Sequence, residues 1–456
     1  MATMLWRLVL PVMVLCSCIG CEAPQPVAED AGPSQAVVIV VPGYYGTKLV
    51  RVSDGSEVWI DRWEALFRRR SLRVPLPGMG FDGALNLRPG GILQRVNVIP
   101  LIYSVMGYGS LLDALQHSLA GRGEVVPLAY DWRLDLMDAV RELGTLVDQL
   151  RGQGKYPVAI VAHSMGGLIA GYYLRYGVQD LENPVENWEG ATKVDAVVMA
   201  GVPFLGAMTT FRNMQYGVRV GLNRSLLEQK AVASFPASYY LLPVSDTDVL
   251  LMRSGRSLHG RIRDGSNWKE YGWGLLKDAR SLPKDVLDRR SAYTDSWLRQ
   301  AGRFSELLLA APETPSRTAI PLLYLSGKGH RTLAKGVWLN QDSPKSPDRL
   351  LFEEDQLDLH LPSADPGILF QDGDGTVTLQ SSSLPRAYGY AFHVISRERN
   401  VDHAELVGDP DIQQDIVEFL AARQIGSTGE KARPWEQSRS EPAQGWAGEI
   451  TPGAGG

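Results

Sequence analysis

From residue 36 onward the apolar positions fall into two alternating patterns. Short unbroken runs, rich in β-branched residues, occur at 36–41 and 158–162, with further short apolar runs at 125–129, 194–200, 322–326 and 391–396. Runs of this length without a polar alternate position suit strands buried on both faces. Between them lie stretches with helical spacing. Leu136, Val140, Leu143, Val147 and Leu150 put one apolar stripe along residues 136–150, which Gly152 and Gly154 close. Residues 168–176 and 412–421 read as helices in the same way. Strand and helix in alternation predict an α/β architecture: a mostly parallel central sheet with helices on both faces.

Residues 205–320 break this rhythm. They carry Trp268, Trp273, Tyr239, Tyr240 and several prolines without a clear period, and read as a cap inserted over the sheet. The ends differ again. Residues 8–15 form an apolar run interrupted by Pro11, preceded by Arg7 and too short to span a bilayer. Cys18 and Cys21 each follow small residues in lipobox-like strings, so residues 1–21 read as an export signal with a lipidated cysteine; a plain cleaved signal is the alternative. Residues 22–35 read as a flexible tether, 36–426 as the folded domain, and 427–456 as a disordered tail. The expected address is the cell envelope, lipid-anchored to a bacterial membrane and facing the periplasm or exterior.

Composition narrows this picture in two ways. The formal net charge of −5 argues against a nucleic-acid partner. All three cysteines, Cys16, Cys18 and Cys21, lie at the N-terminus, so no disulfide framework supports the domain. Its apolar core must hold it together.

The chemistry sits where a strand meets a helix. Residues 162–167 read Ala-His-Ser-Met-Gly-Gly, directly after one apolar run and before a helical one. That context makes Ser164 the nucleophile of a strand–turn–helix elbow, where small neighbours admit a strained backbone. Ala162 replaces the usual first glycine. A serine hydroxyl needs a base, and the base needs a carboxylate to orient it. In this chain order the acid precedes the histidine. His403 lies in a polar loop after the last apolar run and is preferred over His393, which falls inside that run. Asp374, in the glycine-flanked string 371–377, is the first choice of acid and Asp372 the second. The oxyanion requires two backbone N–H donors. Met165, after the nucleophile, and Tyr44, in the Pro-Gly-Tyr-Tyr-Gly loop after the first strand, are the expected pair. This chemistry calls for neither cofactor nor metal.

An ordered series of motifs resembles the lecithin–cholesterol acyltransferase family: residues 41–49 (Val-Pro-Gly-Tyr-Tyr-Gly-Thr-Lys-Leu), Tyr130-Asp131-Trp132-Arg133, His163-Ser164-Met165-Gly166-Gly167, residues 201–206 (Gly-Val-Pro-Phe-Leu-Gly), residues 373–377 (Gly-Asp-Gly-Thr-Val) and His403. The resemblance implies an α/β-hydrolase fold with a cap or lid and a membrane-binding element. It also implies a lipid or other acyl-ester substrate, with acyl transfer to serine and then to water or an alcohol. By position it makes Ser164, Asp374 and His403 a triad. It gives the oxyanion hole to Tyr44 and Met165, and a supporting role to Asp131, Trp132 and Arg133. The animal members carry disulfides in the lid and cap; this chain has no cysteine there.

Trp59, Trp63 and Phe67 recur at helical spacing among charged residues, with Arg69, Arg70 and Arg73 beyond. The pattern predicts a lid or membrane-contact helix within residues 57–75; an ordinary helix packed on the core is the alternative. An esterase for non-lipid substrates and an inactive lipid-binding lipoprotein remain open alternatives for the whole chain. Oligomeric state has no signature here.

Overall fold

The structure is a computed structural model that describes residues 35–60, 70–81, 85–94, 107–220, 223–244, 249–252, 257, 261–312, 320–339, 350–355, 366–423 and 425. Contacts group Gln35–Gly456 into one unit, apart from Met1–Ser34. The export signal, Cys18, Cys21 and the tether lie outside the described residues, as does the tail from residue 427.

Six strands build the central sheet: β1 (Ala36–Val41), β2 (Gly123–Pro127), β3 (Val158–His163), β4 (Ala196–Ala200), β5 (Ile320–Gly327) and β6 (Phe392–Arg399). They run in the order β6-β5-β4-β3-β1-β2, and every pairing is parallel. β1 shows why its sequence takes this place. Val37, Ile39 and Val41 enter one core cluster, while Val38 and Val40 enter the other. A strand covered on both faces has no position for a polar side chain.

Helices cover the two faces. α1 (Gly109–Leu119) and α6 (Pro410–Ala421) share one core with Val38 and Val40, through Leu111, Leu115, Ile412 and Ile416. α2 (Leu136–Gly152) and α3 (Met165–Tyr176) pack on the other. The five apolar positions predicted for α2 are all buried, and Asp135 caps its start by accepting from the Met137 N–H. The expected α/β-hydrolase layering is therefore present.

Three details differ from the sequence expectation. β6 extends to Arg399, because an edge strand tolerates the exposed alternate positions that end an apolar run. Between β4 and β5 the chain forms α4 (Met208–Tyr216), several short helices and the long α5 (Lys284–Leu309). α5 does not belong wholly to a cap, because the buried Arg175 of α3 grips its C-terminal end. That guanidinium donates to the carbonyls of Leu307, Leu308 and Ala310 at 2.8–3.0 Å and pairs with Glu186. The third difference concerns Trp59. It ends a short strand, Glu57–Trp59, in an antiparallel three-stranded sheet with Thr47–Arg51 and Leu87–Ile92.

Candidate active site

The strand β3 runs into Ser164, whose backbone sits at φ 53° and ψ −127°. This left-handed conformation is strained for a residue with a side chain, and the surroundings hold it there. The Ser164 N–H donates to the Ala200 carbonyl at 2.8 Å, and the Ser164 carbonyl accepts from the Gly167 N–H at 2.8 Å. Gly166 allows the turn to close: a Cβ there would lie 2.3 Å from the Val41 carbonyl oxygen. Gly43 presses on the same point, since its Cβ would lie 2.7 Å from the Ser164 Cβ.

His403 follows β6 and its ring meets Ser164. His403 Nε2 lies 2.9 Å from Ser164 Oγ, and His403 Nδ1 lies 2.7 Å from Asp374 Oδ2. Asp374 is buried, and its Oδ1 accepts from the Thr376 and Val377 N–H groups at 2.9 and 2.7 Å. The backbone joins in: the His403 N–H donates to the Asp374 carbonyl at 2.9 Å. Ionised carboxylate and neutral imidazole are the forms these partners fit. Asp374 reaches the site because an antiparallel hairpin, His330–Leu333 with Phe370–Gly373, carries the chain out after β5 and returns it beside His403. Asp372, the second choice, points away. It is exposed and accepts from the Gly329 N–H at 2.6 Å. His393 is also exposed, opposite Pro321 near the start of β6 and far along the strand from the elbow.

The loop after β1 lies over the serine. Met165 opens α3, so its N–H is among the helix-start amides without an intrahelical acceptor. The Tyr44 hydroxyl shares a 2.8 Å hydrogen bond with Ser238 Oγ, and its ring meets Trp132 edge-on at 5.4 Å. Trp132 is fully buried and donates to the Thr47 carbonyl at 2.9 Å. Arg133 is clamped by Asp131 and reaches the Leu72 carbonyl at 3.0 Å. Thus Trp132 fastens the loop's outer side, while Asp131 and Arg133 form a pair that ties this segment to Leu72. Trp132→Ala should cost about 3–5 kcal/mol of stability through the cavity it leaves. Urea unfolding that shifts by less than ~1 kcal/mol would refute that packing role.

Trp59 needs a correction. It is 1% exposed, donates to the Tyr45 carbonyl at 2.8 Å and packs on Tyr45 and Trp132 at 5.3 Å each. It braces the loop and presents nothing to a membrane. The helical spacing was shared by chance with a strand end whose aromatic ring turns inward. Trp63 and Phe67 lie outside the described residues.

Two residues without an assigned role complete the site. Tyr108 accepts from the Gly43 N–H at 2.7 Å and bonds His163 Nδ1 at 3.1 Å. His163 Nε2 lies 3.1 Å from the His403 carbonyl, so that nitrogen carries the proton and Nδ1 accepts from Tyr108. Burial, reinforced by the neighbouring His403, holds the His163 pKa well below the usual histidine value. A neutral ring therefore ties the loop after β1, the elbow and the His403 loop together. His163 was visible beside Ser164; nothing local marks Tyr108.

Small-ligand sites usually measure about 300–1,000 Å³, and the space over Ser164 measures ≈470 Å³. Leu241, Leu333 and Phe370 supply apolar wall, and Arg212 and Arg331 supply positive charge. Fold and site define a hydrolase-type α/β protein with a strained serine at its elbow.

Comparisons agree with that class. The profile of the lecithin:cholesterol acyltransferase family matches residues 102–259. The dog lysosomal phospholipase A and acyltransferase is 26% identical over 372 residues, covering 77% of this chain and 76% of that protein. The human protein of the same name is 26% identical over 348 residues, covering 73% and 70%. Among solved structures, a chain of the Tle4–Tli4 complex superposes with a TM-score of 0.55 at 14% identity, over 86% of this chain and 99% of that one; this likeness concerns the fold alone. The chain is thus similar to the lecithin:cholesterol acyltransferase family over residues 102–259 and to lysosomal phospholipase A and acyltransferase proteins over most of its length.

Proposed function

We propose that this protein is a lipid acyl hydrolase or O-acyltransferase that works through an acyl-enzyme on Ser164. The observation that carries the reading is the chain of contacts at the cavity floor, 2.9 Å from Ser164 to His403 and 2.7 Å from His403 to Asp374. In this reading His403 Nε2 takes the hydroxyl proton as Ser164 Oγ attacks the ester carbonyl. The N–H groups of Met165 and Tyr44 receive the negative oxygen. Collapse of the intermediate releases the leaving alcohol, which takes the proton back from His403. Water or a second alcohol then repeats the sequence on the acyl-enzyme. Asp374 stays ionised and holds the imidazole tautomer.

Similarity to the lecithin:cholesterol acyltransferase family and the apolar cavity walls support a lipid ester as substrate. Export, lipidation at Cys18 or Cys21, and work at a membrane surface belong to the same reading; they rest on the N-terminal pattern and on the substrate class. No helix among the described residues is long and apolar enough to cross a membrane.

A fluorophosphonate probe should label the protein and fail on Ser164→Ala. On p-nitrophenyl esters, kcat/KM should rise with acyl length from acetyl to decanoyl, roughly severalfold per two methylenes buried. Absence of labelling would favour the inactive lipid-binding protein. A preference for acetyl would favour an esterase of non-lipid substrates.

A further inference from the structure

A second cavity of ≈350 Å³ opens on the far end of α4, and no residue lining it lines the serine cavity. Its wall is aromatic. Tyr271 and Trp338 have ring centroids 4.4 Å apart, and Trp273 meets them at 5.3 and 5.5 Å. Two of its buried polar groups are donors that lack an acceptor among the described residues. Trp273 is 2% exposed, and its indole N–H finds no acceptor among the described residues. Gln215, 4% exposed, is in the same condition at Nε2. The amide of Gln215 cannot be turned around, because its Oε1 accepts from the Gly274 N–H at 3.0 Å. Two buried donors without a described acceptor therefore belong to residues that line one cavity.

Among the lining residues cations outnumber carboxylates, three to two. Lys277 extends its ammonium to the Gln215 backbone carbonyl at 3.3 Å and lies 5.3 Å from the Tyr216 ring. Lys269 and Arg280 also line the cavity. Of the two carboxylates there, Asp278 is paired with Lys230 at 3.4 Å, and Glu270 is exposed. Buried N–H groups are costly to leave without an acceptor. A group that only accepts and carries negative charge is their complement.

We infer that this cavity binds an oxyanion carried on an apolar or aromatic body, with Trp273 and Gln215 donating to it and Lys277 neutralising it. A fatty carboxylate and a phosphate ester share that chemistry. Gln215 stands on the helix that also lends Thr210 and Arg212 to the serine cavity, so an occupant would touch the same helix that walls the reactive pocket.

The test uses full-length Ser164→Ala protein, so its outcome is independent of the acyl-enzyme reading. Octanoate, phenyl phosphate and inorganic phosphate are titrated in separate calorimetric arms. Octanoate or phenyl phosphate should bind more tightly than inorganic phosphate, which cannot use the aromatic wall, and the tighter of the two identifies the source. Trp273→Phe keeps a ring and removes the donor; it should weaken that binding roughly tenfold, as should Gln215→Leu. Lys277→Met, an exposed substitution that leaves the core intact, should weaken it severalfold even if the other variants fold poorly. No binding in any arm, or binding unchanged by Trp273→Phe and Lys277→Met in proteins with normal melting transitions, would overturn the site. Water would then be what serves the two donors.

Discussion

Replacing Ser164 with alanine should lower kcat for a long-chain ester by about 10⁵- to 10⁶-fold, and His403→Ala should do nearly the same. The two acts are one: without the imidazole the hydroxyl keeps its proton, and without the hydroxyl the imidazole has nothing to activate. The double variant should be no worse than either single one, because the residual rate comes from binding and the oxyanion donors alone. Asp374→Asn is more informative. Asp374 Oδ1 accepts two backbone N–H groups, from Thr376 and Val377. An asparagine must keep its oxygen on that side, which turns its NH₂ toward His403 Nδ1. His403 Nδ1 would then have to accept, placing the proton on Nε2, where it faces Ser164 and cannot take a second one. A loss of about 10⁴-fold in kcat with little change in KM is expected. Retention of about a tenth of the activity by Ser164→Ala, after ruling out contaminating wild type, would remove the serine from the chemistry.

These residues were legible for different reasons. The elbow is local: six consecutive residues between a strand and a helix carry both the strain and the nucleophile. His403 could be chosen over His393 because a polar loop follows the last strand, and the structure puts the loop histidine on Ser164. Asp374 was harder. The excursion after β5 lengthens the chain between strand and acid, and only the pairing of His330–Leu333 with Phe370–Gly373 shows how that distance closes. Helix α2 was readable residue by residue, since one stripe facing one core leaves a strong period. Trp59 misled for the opposite reason. Side-chain spacing near a strand end matched a helical face, while burial was decided by Tyr45 and Trp132, which are distant in sequence or invisible to periodicity. Long-range packing also fixed the end of α5, where Arg175 gathers three carbonyls that no local pattern announces.

The same distinction explains why the His163 relay was missed, and it yields a second large effect. His163→Phe keeps a flat ring of similar size but leaves the Tyr108 O–H without its acceptor, its oxygen still accepting from the Gly43 N–H, and the His403 carbonyl without its donor. About 2–4 kcal/mol of stability should be lost, by the usual cost of stranding two buried polar groups. The relay also carries a pH dependence. Burial is the first cause of the lowered His163 pKa and the electrostatic interaction with His403 the second; the bond to the His403 carbonyl works against them. Because the folded value lies below the unfolded one, near 6.5, the unfolded chain binds more protons in the acid range. This contribution is complete above about pH 6.5 and is lost as pH falls from there toward the folded value. Urea midpoints of the wild type should therefore fall more steeply between about pH 7 and 5 than those of His163→Phe, since other titrating groups are common to both. His163→Gln separates positioning from bulk. A glutamine amide offers a donor group and an acceptor group, as the neutral imidazole does, and carries no proton equilibrium. It should recover part of the stability and of kcat while showing the flat pH response. If His163→Gln and His163→Phe were equally stable and equally active, the hydrogen bonds would be doing nothing that an apolar ring cannot do. The histidine would then be a packing residue next to the nucleophile, and the loop after β1 would have to be held by its other contacts, among them Trp59 on the Tyr45 carbonyl and Tyr130 through its 2.7 Å bond to the Pro42 carbonyl.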